Sequence, residues 1–322
     1  MSRNENSSVD NNFSADQRTY HVPVLLKESI DALKIKPSGK YVDVTFGGGG
    51  HSGEIHKNLT EGHLYAFDQD SDAAANTSDF DKDKFTLVEA NFRYLARFLR
   101  HYEVEEVDGI LADLGISSHQ IDEAERGFST RFDAELDMRM NRKSGKSAIT
   151  VLNDYSEKEL VRIFSSYGEV RNSKTLASAI VSARSSEKIT RIDQLKNILK
   201  RYAKRGSEHK YFAQVFQAIR IEVNDEMEAL KDLLKDSVKV LKEGGRLSVI
   251  SYHSLEDRMV KNFIQSGNFE GRQEKDLYGN VLRPLNPVTR KPIMASEEEI
   301  KNNSRARSAR LRIAERNEKT EA

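Results

Sequence analysis

Tyr41-Val42-Asp43-Val44-Thr45-Phe46-Gly47-Gly48-Gly49-Gly50-His51-Ser52-Gly53 decides the fold. Tyr41 to Thr45 has the apolar, β-branched character of a short buried strand. It runs into four consecutive glycines and then into a segment that suits a helix. In that order the pieces form a strand–turn–helix unit. The glycines let the backbone bend sharply and approach a ligand, and the helix offers free N–H groups and its positive dipole end to an anion. Gly48, Gly50 and Gly53 formally satisfy G-x-G-x-x-G, and Asp68 stands 20 residues beyond Gly48 at the end of the next apolar run. A carboxylate there can accept hydrogen bonds from both hydroxyls of a ribose. A dinucleotide, with its pyrophosphate at the helix start, and S-adenosylmethionine, with its carboxylate there, both satisfy this pattern. His51 and His56 add no metal site to it: there is no H-E-x-x-H, and residues five apart diverge around a helix.

Outward from this unit, short apolar runs alternate with helix-compatible stretches: His63 to Asp68, Phe85 to Val88, and Val107 to Leu114. The alternation predicts a parallel sheet wound with crossover helices. A fifth run, Arg246 to Ser251, comes only after some 130 further residues, behind an amphipathic helix from Asp225 to Lys242 that stops at Gly244-Gly245. The intervening segment reads as helical. Ser156 and Glu159 make a capping box ahead of Leu160, Ile163, Phe164 and Tyr167, with Gly168 as the stop. Ser173 is placed to cap a helix carrying Leu176, Ile180 and Val181, and Ile192, Leu195, Ile198, Leu199 and Tyr202 mark a third. The expected organisation is a disordered tail over residues 1–20, an α/β domain over 21–120 and 215–322, and a helical domain over 121–214 inserted at the carboxyl end of a strand. Open parallel sheets bind ligands at that end, so the insertion is expected on the substrate side.

The 322 residues, 37% hydrophobic and 32% charged, are about two domains' worth of folded protein. No apolar run approaches the roughly 20 residues of a bilayer span, and the first twenty residues lack the apolar centre of a secretory signal. A cytoplasmic location with no membrane partner is expected. Cysteine is absent, which excludes disulfide frameworks, thiolate zinc sites, iron–sulfur clusters and a cysteine nucleophile. Lys+Arg and Asp+Glu balance at 51 each, so only local charge can point to a nucleic-acid partner.

The fourth apolar run ends Leu111-Ala112-Asp113-Leu114-Gly115-Ile116-Ser117-Ser118-His119-Gln120, which puts Asp113 where the crevice of such a sheet opens. With Asp113 to Ser118, the segments Thr45 to Ser52, His21 to Leu26, Glu125-Arg126-Gly127-Phe128-Ser129, Leu136-Asp137-Met138-Arg139-Met140, Tyr167-Gly168-Glu169, Phe216 to Arg220 and Ser251 to Arg258 closely resemble the bacterial 16S ribosomal RNA (cytosine-N4) methyltransferase family. The resemblance runs from His21 to Arg316. His119 and Ser304 stand where that family often has proline. It implies a Rossmann-like class I methyltransferase sheet with an inserted helical domain, S-adenosylmethionine as cofactor, and methylation of a decoding-centre cytosine in the 16S rRNA of the small ribosomal subunit. Carried over residue by residue, it implies cofactor contacts from Gly49, Gly50, His51, Asp68, Phe92, Asp113 and Gln120.

The chemistry agrees. Methylation of carbon-5 of cytosine usually needs a covalent thiolate, which this chain lacks. Transfer to the exocyclic amine needs alignment, desolvation and an acceptor for the departing proton, and Asp113 and the Gly115–Ser118 backbone are placed to accept the N4 hydrogen bond. His253, leaving the fifth run, is a second catalytic candidate and equally a helix cap. Asp137 and Arg139 either pair with each other or hold RNA. For RNA, the segment from Asn302 onward carries Arg305, Arg307, Arg310, Arg312, Arg316 and Lys319 against Glu315, Glu318 and Glu321. Lys196, Lys200, Arg201, Lys204, Arg205 and Lys210 form another basic cluster. A homodimer is compatible with the sequence, which does not fix the oligomeric state. A nicotinamide-dependent oxidoreductase and a non-catalytic RNA-binding scaffold are the competing classes.

Overall fold

The computed structural model describes residues 23–143 and 145–318. The expected tail, His21 and Val22 of the family motif, and Lys319 and Glu321 lie outside the described residues. Seven strands form one sheet: β1 (Lys40–Asp43), β2 (His63–Phe67), β3 (Phe85–Val88), β4 (Val107–Asp113), β5 (Leu241–Ser251), β6 (Leu285–Pro287) and β7 (Arg310–Arg316), in the order β3-β2-β1-β4-β5-β7-β6. The first five are parallel, and β7 runs antiparallel between β5 and β6. This is the expected Rossmann-like sheet. The chain leaves β1 towards β3 on one side and returns through β4 to β5 on the other, so a crevice opens at the carboxyl ends of β1 and β4.

The helices before the insertion are α1 (Leu26–Leu33), α2 (Gly50–Lys57), α3 (Leu95–His101) and the short α4 (Ser118–Asp122). The insertion carries α5 (Ala148–Asp154), α6 (Glu157–Ser166), α7 (Ser173–Ser186), α8 (Ile192–Lys200) and α9 (Glu208–Asn224). After it come α10 (Glu226–Val240), α11 (Ser254–Ser266) and α12 (Glu297–Asn302). Neighbouring residues of each strand go to opposite faces of the sheet, as the pleat requires. Val42, Tyr65, Phe67, Ile110 and Ala112 join one apolar cluster, and Tyr41, Leu64, Ala66 and Leu111 the other. Because both faces are covered, the strands read as nearly continuous apolar runs.

A separate apolar cluster fills the insertion, with Leu160, Ile163, Phe164, Leu176, Ile180 and Leu195 fully buried. Ser156 and Glu159 make the expected capping box of α6. α9 belongs to this cluster through Phe212, Val215, Phe216, Ala218, Ile219 and Val223, and the boundary drawn at 214 falls inside it.

Three readings need correction. Ser173 does not cap α7: Asn172 holds the cap position and Ser173 is buried in the first turn. The helix expected to reach Lys242 ends at Val240, because Leu241 pairs with Val107 and Lys242 Nζ pairs with Asp108 at 2.7 Å, drawing the chain into the sheet. Gly244 and Gly245 then lie inside β5, where Gly244 takes a φ of +71° and a Cβ on Gly245 would come within 2.8 Å of the Lys242 carbonyl. The Arg-rich segment is also not a free RNA-gripping tail. It forms β7, Arg312 Nε and Arg310 Nη1 clamp Asp257 of α11 at 2.7 and 3.0 Å, and Arg316 donates to the Val238 and Pro284 carbonyls. Arg305 bonds Ser118 and faces Asp122. Of the two readings of Asp137 and Arg139, the structure has the pair, with Arg139 Nε 2.6 Å from Asp137 Oδ1.

Candidate active site

The glycine loop joins β1 to α2, and its glycines are not interchangeable. Gly47 and Gly49 have φ of +49° and +77°, where a side chain is strained. Gly50 has an ordinary φ, but a Cβ there would sit 2.2 Å from Pro23 Cγ. Gly48 and Gly53 would meet nothing within 4 Å. The formal fingerprint therefore meets the steric need, which falls at 47, 49 and 50, only at Gly50, and Gly53 lies inside α2. Gly50→Ala is expected to destabilise the chain by about 1–3 kcal/mol through this overlap. Gly53→Ala, in an open helical position, is expected to add roughly 0.5–1 kcal/mol. Denaturant melts of the two variants check this, and equal effects would contradict it.

Asp68 follows β2. Its Oδ2 accepts the Gly47 N–H and its Oδ1 the Asp70 N–H, both at 2.8 Å, so the carboxylate holds the glycine loop in place. An ionised carboxylate has about four acceptor positions, so two remain for donors from a ligand. Burial pushes its carboxyl up to about 6 against these two bonds. Gln120 is buried in the capping box of α4: its Oε1 accepts the Ser117 N–H at 3.1 Å and its Nε2 donates to Asp70 at 2.8 Å. The same Asp70 carboxylate takes Arg126 Nη2 at 2.7 Å, and Arg126 also donates to Asp72 and to the carbonyls of Arg139 and Met140. The loops after β2 and β4 and the start of the insertion are thus tied together at one guanidinium.

Asp113 ends β4 with 24% of its side chain exposed. Its N–H donates to Thr45 Oγ1 at 2.7 Å, across the switch point. Tyr252, just past β5, donates its hydroxyl to Asp113 Oδ1 at 2.7 Å, and His51 Nδ1 lies 3.7 Å from Oδ2. The other imidazole nitrogen of His51 faces the Val24 carbonyl at 3.1 Å. Burial pushes the Asp113 carboxyl up to about 6, opposed by His51 and the Tyr252 hydroxyl and aided by Asp43 and Glu256. Burial and the Asp113 charge push the Tyr252 hydroxyl far upward, so it remains a donor. Tyr252 was missed as a site residue because only the fold brings it to Asp113.

A hollow opens beside these groups. Phe92 lines it, with Thr45, Leu114, Gly115, Glu226 and Glu256. Asn91 donates to Gln69 Oε1, and Gln69 in turn faces Met140, also of its lining. His253 does not line it. Its ring caps α11, with Nδ1 accepting the Glu256 N–H at 3.4 Å, while Glu256 Oε2 accepts the N–H of Tyr252 at 2.9 Å. Glu226, His253 and Glu256 bring their ligand atoms within 4.8 Å of one another. Two features oppose a metal there: Arg220 grips Glu226 through two bonds of 2.9 Å, and the accepting Nδ1 leaves the proton of a neutral ring on Nε2, which faces Glu256 Oε1 at 3.2 Å.

The residues suit S-adenosylmethionine. The first N–H groups of α2 have no acceptor among the described residues, Gly48 leaves space that a Cβ would fill, Asp68 retains two acceptor positions, and Phe92 offers an aromatic face. Comparison with known proteins agrees. Three curated relatives bear the name ribosomal RNA small subunit methyltransferase H. That of Cytophaga hutchinsonii is 62% identical over 92% of this chain and 99% of its own. That of Christiangramia forsetii is 56% identical over 92% and 97%, and that of Parabacteroides distasonis 54% identical over 92% and 97%. The MraW methylase family model matches residues 18–317. The chain belongs to the MraW methylase family.

Proposed function

We propose that this protein transfers a methyl group from S-adenosylmethionine to the exocyclic N4 of a decoding-centre cytosine in the 16S rRNA of the small ribosomal subunit. That it is an S-adenosylmethionine-dependent methyltransferase of small-subunit ribosomal RNA follows from its family, and the oxidoreductase reading of the glycine loop falls with that. The observation that carries the residue-level reading is the Asp113 carboxylate at the switch point, gripped by Tyr252 beside the Leu114–Gly115 wall of the hollow. Radiolabelled methyl transfer to small subunits from cells lacking the protein, followed by mass spectrometry of 16S rRNA fragments, tests it. Incorporation as N4-methylcytosine supports the proposal. No incorporation favours the scaffold reading, and label on another atom overturns the assignment.

When bound, the cofactor supplies an activated methyl group. On this reading Gly49, Gly50 and His51 receive its amino-acid end, Asp68 its ribose, and Phe92, Asp113 and Gln120 complete the enclosure. The N4 lone pair is drawn into the cytosine ring, and a hydrogen bond from N4–H to Asp113 makes the nitrogen more nucleophilic and accepts its proton. His253 then acts as a positioning residue: by capping α11 it sets Glu256 against the hollow. The insertion is proposed to present the RNA, whose backbone meets Lys200, Arg201, Lys204, Arg205 and Lys210, which have no acidic partner among the described residues. Among the described residues no helix is long and apolar enough to cross a membrane, and a ribosomal substrate supports a cytoplasmic location. A homodimer, with which the sequence is compatible, would sediment at twice the mass of the chain.

Only the ionised Asp113 can accept the N4 proton, so the rate falls as pH drops through about 6 and is level above it. Tyr252→Phe removes a bond that favours the ionised form, so its acid limb moves to higher pH. The pH profile of kcat checks this, and superimposable wild-type and variant profiles would remove Tyr252 from the site.

A further inference from the structure

Where the insertion meets the sheet, a second hollow is lined by chain neighbours of residues that line the first. Met227, Leu255, Met259 and Phe269 give it an apolar side, Tyr167 joins them from the end of α6, and Ser166, Glu228 and Asn262 add a polar side. Phe269 is held by stacking on Phe263, ring centres 5.0 Å apart. Two cations line the same hollow. Lys231 pairs with Glu228, whereas Arg258 is exposed and meets no acid or hydrogen-bond acceptor among the described residues. The two hollows share their dividing wall: Glu226 and Glu256 line the first, and Met227 and Leu255, their chain neighbours, line the second.

We propose that this groove seats a nucleotide adjacent to the methylated cytosine, its base against Tyr167, Met259 and Phe269 and its phosphate on Arg258. The proposal rests on the function proposed above and adds a subsite to it. A base that enters the first hollow is tethered to its neighbour by one phosphodiester, so the neighbour must be housed about one side chain away. Flat aromatic and thioether surfaces accept any base, which is how unstacked RNA is commonly held. A guanidinium without an internal partner matches a phosphate in charge and in its paired donors. An apolar peptide would leave that cation unanswered, so RNA is the occupant the groove favours.

The test uses the full chain and small subunits from cells lacking this protein. Arg258→Ala should raise KM for subunits about tenfold, the loss of one charge-assisted contact. It should leave the S-adenosylmethionine dissociation constant and the melting temperature unchanged and reduce the slope of log KM against log salt by about one. Tyr167→Leu should raise KM with the salt slope intact, because it removes a base contact. UV cross-linking of the wild-type chain on the same subunits, which needs no turnover, should attach a nucleotide to a peptide containing Tyr167 or Phe269. KM within about twofold of wild type for both variants, or a cross-link to a ribosomal protein in place of RNA, overturns the proposal. Loss of methyl transfer by the wild type with the RNA cross-link present strikes the proposed function alone.

Discussion

Asp113→Ala lowers the rate of methyl transfer to small subunits by on the order of 10²-fold or more, the scale of a lost proton acceptor, while the fold persists. The structure separates the two effects. Asp113 holds β4 to β1 through its backbone N–H on Thr45, which alanine retains, and its carboxylate is one that burial disfavours in charged form. Removing that carboxylate leaves the Tyr252 hydroxyl without its acceptor, a loss of about 1–3 kcal/mol that is partly offset because the buried charge goes with it. The melting temperature should therefore fall by a few degrees at most while turnover collapses. Asp113→Asn sharpens the test, since it retains the shape and the bond to Tyr252 but cannot take a proton. If Asp113→Asn turned over at near the wild-type rate, the acceptor would have to be sought elsewhere.

Arg126→Ala is expected to be the most destabilising single change near the site. Arg126 and Asp70 have 3% and 8% of their side chains exposed, and breaking so buried a pair by deleting one partner costs about 3–5 kcal/mol. On a chain of this size that lowers the melting temperature by on the order of 10 °C. The deletion also frees the carbonyls of Arg139 and Met140, so the start of the insertion loosens over the crevice with the loop after β2. The double variant Asp70→Asn with Arg126→Met leaves no uncompensated charge and should recover part of the loss. A fall of less than about 1 kcal/mol for the single variant would show that water reaches Asp70 and that the guanidinium is not the tie described.

The parallel strands were legible because both faces of each are buried: Val42, Tyr65 and Phe67 serve one face, Tyr41, Leu64 and Ala66 the other, and the runs are apolar throughout. β6 and β7 were not. Leu285–Pro287 is three residues long, and Arg310 to Arg316 carries arginine at 310, 312 and 316 and Glu315 beside them, a pattern that reads as a solvated basic segment. It becomes a strand because Asp257, 53 and 55 residues away, neutralises two of those arginines. At the site, Asp68 and Asp113 could be singled out by their position after a strand. The Tyr252 hydroxyl reaches Asp113 over 139 residues of sequence, and no local pattern encodes that distance. For His253 the sequence left a catalytic role and a helix cap open, and the structure has the cap, built on His253-Ser254-Leu255-Glu256.

β7 has a bearing on when the protein becomes competent during its own synthesis. Strands β1 to β4 and the insertion leave the ribosome first and can settle as units. Yet β5 gains its second neighbour, and the helix that follows it gains its two-armed clamp, only once Arg310 to Arg316 has been translated. A nascent chain halted before that point would carry the glycine loop and Asp113 beside a half-bordered β5. Translation of β7 is thus a precondition for a fully bordered β5 and a clamped α11.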